Sequence, residues 1–244
     1  MLSERLTIVI PCKNEQGYIS HLLHDIAQQY DIKGTKIIIA DSSDDSTLEV
    51  VNEFKIRYFD FLDIEIVQGG RVSEARNNGA RLVKTPFTLF LDADVRLPHT
   101  FHLIEAYLKA RGIVEKRGRA LVTSSLGSYA LDWKCEASYK IYNVAHRLLT
   151  KKYPFAIGAF FLVDTESFRR FGTFDTLVDN SEDFLFSQHY KSKEFYILDY
   201  KIMMDDRRFK KIGYLGFAKH LIVNFYKYLT NQKKHFYKNV GYWG

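Results

Sequence analysis

Residues 87–94 read Phe87-Thr88-Leu89-Phe90-Leu91-Asp92-Ala93-Asp94, five apolar or β-branched residues followed by two acids one residue apart. A short apolar run of this kind, closed by polar residues, reads as a buried strand. Upstream, Leu6 to Ile10, Lys36 to Ala40 and Ile64 to Val67 have the same character. Between them lie segments of helical period, Gln16 to Gln29, Thr47 to about Tyr58, and Val72 to Val83. Four strands separated by three helices imply a parallel sheet with right-handed crossovers. Ligands of such sheets bind beyond the carboxyl ends of the strands, so the residues after each strand can be read as a site.

After the first strand comes Pro11-Cys12-Lys13-Asn14-Glu15, after the second Asp41-Ser42-Ser43-Asp44-Asp45-Ser46-Thr47, and after the fourth Asp92-Ala93-Asp94. Carboxylates gathered at one edge are costly unless a cation or hydrogen-bond donors offset them, which points to a metal site or to hydroxyl recognition. In an extended chain Asp92 and Asp94 face the same way, and two such carboxylates suit Mg²⁺ or Mn²⁺ when substrate phosphates complete the shell. As a bare pattern the same pair also serves as a solvated strand end. Asp41 stands where a carboxylate can accept from a base N–H or a ribose hydroxyl, while Asp45 or Ser46 caps the helix that follows. On the helix from Val72, two readings stand for Arg76: it meets a phosphate or counters the acids, or it is a surface arginine pairing with Glu74 or Glu105.

The order Ile-Pro-x-Lys-Asn-Glu, Asp-Ser-Ser-x-Asp-Ser-Thr, Ala-Arg-Asn-x-Gly-Ala and Phe-Leu-Asp-Ala-Asp over residues 6 to 98 resembles the nucleotide-sugar-binding half of the family 2 glycosyltransferases. The resemblance implies a GT-A fold, a Rossmann-like, mostly parallel sheet flanked by helices. It continues more loosely to about residue 200, through Ile157 to Val163, the turn Gly172-Thr173-Phe174-Asp175 in place of a Gly-Gly-Phe-Asp, and Ser181-Glu182-Asp183-Phe184. Carried over residue by residue, it puts Pro11, Asn14 and Glu15 in the nucleotide pocket, with Lys13 where a tyrosine is frequent. It makes Asp41 the base- or ribose-binding acid, Arg76 a neighbour of the diphosphate, and Asp92 and Asp94 the metal motif, with Asp92 also beside the nucleotide sugar. Glu182 and Asp183 become the catalytic pair, Asp183 the base. Read without the family, that pair is simply acids stabilising a helix N-terminus. Arg207 and Arg208 fall where relatives carry a loop over the donor, and grip the diphosphate or form a solvated charge cluster. The implied activity is metal-dependent, inverting transfer of a sugar from a nucleoside diphosphate to a hydroxyl of a glycan or lipid-linked acceptor.

Two other classes compete. A sugar nucleotidylyltransferase needs a Gly-, Arg- and Lys-rich loop after the first strand to cradle a triphosphate, and Pro11 to Glu15 is not one. A non-catalytic nucleotide-sugar-binding protein has no need of both Asp92-x-Asp94 and Glu182-Asp183. His21 and His24 read as an exposed helix face, and His99 and His102 as the start of the helix after Pro98.

The 244 residues are 46% hydrophobic and 26% charged, which excludes intrinsic disorder. The longest apolar run, Phe155 to Val163, has nine residues, whereas a spanning helix takes about 20. The start, Met1 to Arg5, lacks the regions of a secretory leader, so a cytoplasmic location is expected. Two cysteines, Cys12 and Cys135, without metal-ligand spacing, exclude a structural zinc and a disulfide framework. Residues 201–244 carry ten Lys or Arg against two acids, while residues 1–200 carry 25 against 27. The expected organisation is therefore a catalytic domain over 1–200, divided into donor (1–98) and acceptor (99–200) halves, and a basic, aromatic-rich helical appendage over 201–244. In the appendage Phe217, Ala218, Leu221, Ile222, Phe225, Tyr228 and Leu229 repeat at three- and four-residue steps, one apolar stripe. The stripe packs on the protein or a second subunit, or lies on an anionic membrane, and the surplus of positive charge favours peripheral contact with the inner face of a membrane. No nucleic-acid-binding motif accompanies the charge.

Overall fold

The computed structural model describes residues 1–130, 132–178 and 181–207, and beyond them residues 209, 210, 213, 214, 216, 219 and 223. The strands are β1 (Leu6–Cys12), β2 (Lys36–Asp41), β3 (Asp63–Gln68), β4 (Phe87–Leu91), β5 (Leu121–Ser128), β6 (Phe160–Asp164) and β7 (Phe195–Met204). The helices are α1 (Ile19–Ala27), α2 (Thr47–Arg57), α3 (Val72–Arg81), α4 (His102–Arg117), α5 (Trp133–Leu149), α6 (Thr165–Arg170) and α7 (Glu182–Ser187). One sheet runs in the order β3-β2-β1-β4-β6-β5-β7. The four apolar runs near the N-terminus pair in parallel as expected, with Ile10 opposite Ile39, Ile39 opposite Ile66 and Val9 opposite Phe90. Only β6 runs antiparallel, between β4 and β5. β7 continues across residue 200 to Met204.

Successive strand residues point to opposite faces, and the sheet separates two cores accordingly. Ile8, Ile10, Ile37, Ile39, Leu89 and Leu91 join Leu22, Val51 and Leu103 of α1, α2 and α4. Val9, Ile38, Phe90 and Phe161 join Ala80, Phe168 and Phe186 of α3, α6 and α7. Burial on both faces is why these strands read as continuous apolar runs and not as alternating ones. Gly79 lets α3 lie against the sheet, because a Cβ there would stand 2.4 Å from Cγ1 of Val9.

The first helix is shorter than its period predicts, beginning at Ile19 and not at Gln16. The intervening residues are tied to the β2–α2 loop. Asn14 accepts from the Asp44 N–H at 2.9 Å, the Glu15 N–H donates to Thr47 Oγ1 at 2.8 Å, and Gln16 accepts from the Ser46 N–H at 3.1 Å. Asn14 takes φ 57° to make that turn. Asp45, not Ser46, supplies the side-chain cap, accepting from the Thr47 N–H at 3.0 Å. Beyond β7, Phe209 stacks on Tyr214 and meets Tyr139, and the Tyr214 hydroxyl donates to Asp132 at the start of α5. The residues of the apolar stripe, Phe217, Ala218, Leu221, Ile222, Phe225, Tyr228 and Leu229, lie outside the described residues, as does Arg208.

Candidate active site

The carboxyl ends of β1 to β4 form one edge, and the residues singled out in the sequence converge there. At the ends of β2 and β3 a cavity of about 460 Å³ is lined by Asp41, Ser42, Asp44, Leu48, Val67 and Gln68. The Asp41 carboxylate is held by Ser43, whose hydroxyl donates at 2.7 Å and whose N–H donates at 3.2 Å. Polar residues dominate this lining, with Leu48, Ile66 and Val67 supplying the apolar part and Asp41 a fixed acceptor, a mix that suits a planar, hydrogen-bonding ligand. Pro11 lies within β1 opposite Ala40 and is half-buried, and Asn14 holds the loop wall through Asp44.

After Leu91 the chain leaves the strand and turns. Asp92 and Asp94 are thus not placed on one side by a continuing extended chain, as the spacing alone suggests. A turn that tucks Ala93 into the core, 3% exposed, leaves both partly exposed. They meet different arginines. Asp92 accepts from Arg76 Nη2 at 2.7 Å, and Asp94 accepts from Arg207 Nη2 at 2.7 Å.

Arg76 is not a surface residue: its side chain is 3% exposed, and its other terminal nitrogen donates to Glu182. It bridges the turn after β4 to the start of α7. Burial disfavours its charge, but Asp92 and Glu182 outweigh that and raise its pKa. Burial pushes the Glu182 carboxyl up to about 7 against the pull of Arg76, with Asp183 adding to the rise. Asp183 is fixed by two backbone donors, Gly158 N–H to Oδ2 at 2.6 Å and Phe184 N–H to Oδ1 at 2.7 Å. Burial raises its pKa too, although Arg76 and both donors act in the opposite direction. Gly158, which the residue types alone did not mark, is a close-approach position. A Cβ there would come within 2.6 Å of Arg76 Nη2 and 3.1 Å of Asp183 Oδ2.

Arg207, just past β7, also reaches Glu15 at 3.1 Å and covers the ring of Tyr18, its guanidinium carbon 4.1 Å from the ring centroid. Tyr18 escaped the sequence reading because its only signal is this cation–π contact with a residue far along the chain. Burial, then the neighbouring Asp94 charge, push Glu15 up to about 7 despite Arg207. Carboxylate oxygens, as on Asp92, Asp94 and Glu15, are the ligand type of a hard divalent cation. Among the described residues no group of three His, Cys, Asp or Glu makes a complete cage, so phosphate and water oxygens would supply the remaining positions. His102 has no part in this edge: it is fully buried in α4, its Nε2 3.1 Å from Ser124 Oγ.

The profile of Glycosyl transferase family 2 matches residues 7–172. The poly(ribitol-phosphate) beta-glucosyltransferase of Bacillus spizizenii is 32% identical over 97 residues, 37% of this chain and 15% of that protein. The crystal structure of S. aureus TarS 1-349 in complex with UDP-GlcNAc superposes with a TM-score of 0.58 at 17% identity, covering 82% of this chain and 58% of that one. The mannosyltransferase PcManGT from Pyrobaculum calidifontis, in complex with GDP-Man and Mn2+, gives 0.64 at 19% identity, covering 89% and 64%. The chain thus spans only part of the length of each of these proteins, and the structural likeness is one of fold, the GT-A arrangement of a mostly parallel sheet between helices.

Proposed function

The chain belongs to glycosyl transferase family 2, and from that premise we propose that it moves a sugar from a nucleoside diphosphate donor to an acceptor hydroxyl with inversion at the anomeric carbon. The base of the donor lies in the cavity beside Asp41, and its diphosphate runs toward Asp92, Asp94 and Arg207. Mg²⁺ or Mn²⁺, when held by Asp92 and Asp94, supplies charge neutralisation for the departing diphosphate. Arg207, partly exposed at 41%, offers a planar fork that matches phosphate oxygens. Asp183 takes the proton of the acceptor hydroxyl as that oxygen attacks the face opposite the diphosphate. Its two N–H donors fix the carboxylate, and burial lifts its pKa toward the range where a carboxylate works best as a base. Arg76 and Glu182 act as positioning residues, since both are buried and bonded to each other. The acceptor is a hydroxyl on a glycan or lipid-linked carrier, reached by a cytoplasmic protein lying peripherally on an anionic membrane face.

The observation that supports this reading is Arg76, which bonds both Asp92 and Glu182 and so ties the turn after β4 to the start of α7, where Asp183 lies. Donors linked to UDP or GDP are the first to screen, by thermal shift with Mn²⁺, since a ligand at about 100 times its Kd stabilises by about 2.7 kcal/mol. Asp183→Asn keeps the shape and removes the base, so turnover should fall about 10²- to 10⁴-fold while the donor-induced shift persists. Near-normal turnover in that variant, or a product of retained configuration, would move the base elsewhere.

A further inference from the structure

A surface helix buries one face and presents a polar one. α5 does not. Cys135, Tyr139 and His146 are buried on its inner side, yet Trp133, Ile141, Val144 and Leu148 stand 75%, 72%, 61% and 60% exposed. At 3.6 residues per turn those four fall within a sector of about 80°, and they extend over about 22 Å of helix. The margins of this stripe are cationic: Lys134, Lys140, Lys151 and Lys152 are all exposed. Of the acids nearby, Glu136 is paired with Lys201 at 3.1 Å and Asp199 with Arg147 at 2.9 Å, while Asp132 caps the helix by accepting from the Lys134 N–H at 2.9 Å.

From this juxtaposition we infer that the outer face of α5 docks on an anionic lipid membrane, its apolar stripe entering the headgroup region and its lysines meeting lipid phosphates. A long, flat apolar strip edged by lysines matches a bilayer surface, where the stems follow the strip and the ammonium groups reach outward. A second copy fits less well, because a two-fold pairing of this face would set its cationic margins against each other. The position also suits the site. α5 starts four residues after Tyr129, which lines a cleft with Tyr18, Asp94 and Arg96. A membrane held at Trp133 therefore lies beside that cleft. The inference deepens the peripheral-membrane part of the proposed function and is independent of the donor chemistry.

The test uses the full chain and vesicles of equal parts phosphatidylglycerol and phosphatidylcholine, with pure phosphatidylcholine as the comparison. The protein should co-sediment with the anionic vesicles and release at high salt. In a Trp243→Phe background, which leaves Trp133 as the single tryptophan, the emission should shift to the blue on binding. The double variant Ile141→Glu/Leu148→Glu should bind at least about tenfold more weakly, with an unchanged thermal midpoint and an unchanged donor-induced shift. Lys140→Glu/Lys152→Glu, which touches no apolar residue, should weaken binding by a similar factor at low salt. Failure of the wild-type protein to bind, undiminished binding by the double Glu variant, or a wild-type dimer that this variant abolishes without any lipid effect would each overturn the inference. A lost donor-induced shift in the unmodified protein would instead overturn the donor reading and leave this one standing.

Discussion

Replacing Arg76 with methionine removes the one cation from a buried cluster of acids while keeping most of the side-chain volume. Arg76 and Glu182 are 3% and 8% exposed, so the pair is shielded from water and from salt. Breaking a buried pair from one side costs about 3–5 kcal/mol, because the remaining charge has no partner. For a chain of this size each kcal/mol moves the midpoint by about 2–4 °C, so Arg76→Met should melt about 6–20 °C below wild type. Adding Glu182→Gln removes the orphaned charge and should return about 1–3 kcal/mol, a coupling that independent sites do not have. The sign with pH is also fixed. Glu182 is already raised to about 7 with Arg76 in place, above an unfolded value of about 4.3, and loses a lowering influence when Arg76 goes. A group with a raised folded pKa contributes stability that is full below the unfolded value and fades as pH rises toward the folded one. The deficit of Arg76→Met relative to wild type should therefore be small near about pH 5 and largest near about pH 8. Urea unfolding of the four proteins of the cycle at both pH values measures it. At pH 8, a loss under about 1 kcal/mol, or a double variant no more stable than Arg76→Met, would mean that the bridge is not the buried pair the geometry describes.

Gly158→Ala should cost about 1–3 kcal/mol as an overpacked position and lower kcat by displacing Arg76 and the N–H that orients Asp183, readable from the thermal midpoint and initial rates together. His102 and His146 are held at about 3 and about 4 by burial, so their contribution to stability is complete above about pH 6.5 and is lost as pH falls below it, at about 1.4 kcal/mol per pH unit for each. Glu15 and Glu182, raised to about 7, act with the opposite sign over the same range, so the measurement is the difference in unfolding free energy between wild type and His102→Asn, which should change by about 1.4 kcal/mol per pH unit between about pH 6.5 and pH 5. Asp94→Asn should fold normally yet lose the stabilisation that Mn²⁺ adds to donor binding, and EDTA should have the same effect on the wild-type protein; an undiminished donor-induced shift in both cases would count against a cation between these acids.

The strand half of the fold was legible because β1, β2 and β4 are buried on both faces, and such strands carry their assignment in unbroken runs of Ile, Leu, Val and Phe. What resisted reading was whatever depends on a distant partner. The start of α1 is delayed by bonds from Asn14 and Gln16 to a loop about thirty residues on, and no local period contains that. Whether Arg76 faces water or the core is decided by Glu182, 106 residues away, and the place of Arg207 by Glu15, 192 residues away. The acids themselves were identifiable from their positions after strands, but the turn that hands Asp92 to Arg76 and Asp94 to Arg207 was not visible in their spacing.

Burial divides the two arginines of the edge into different roles under the proposed function. Arg76, itself 3% exposed, cannot exchange partners without leaving the buried Glu182 carboxylate unpaired, so it serves as a fixed strut. Arg207 is 41% exposed and follows the last strand, and its contacts to Glu15 and Asp94 are the kind that water and salt weaken to about 1 kcal/mol or less. A diphosphate bound with a divalent cation would offer Arg207 charged oxygens in place of carboxylates, and Asp94 would hold the cation in place of Arg207. The exchange keeps every charge paired. It would also give the edge, where burial and then the Asp94 charge raise Glu15 to about 7, a reason to favour the donor together with its metal over the bare nucleotide.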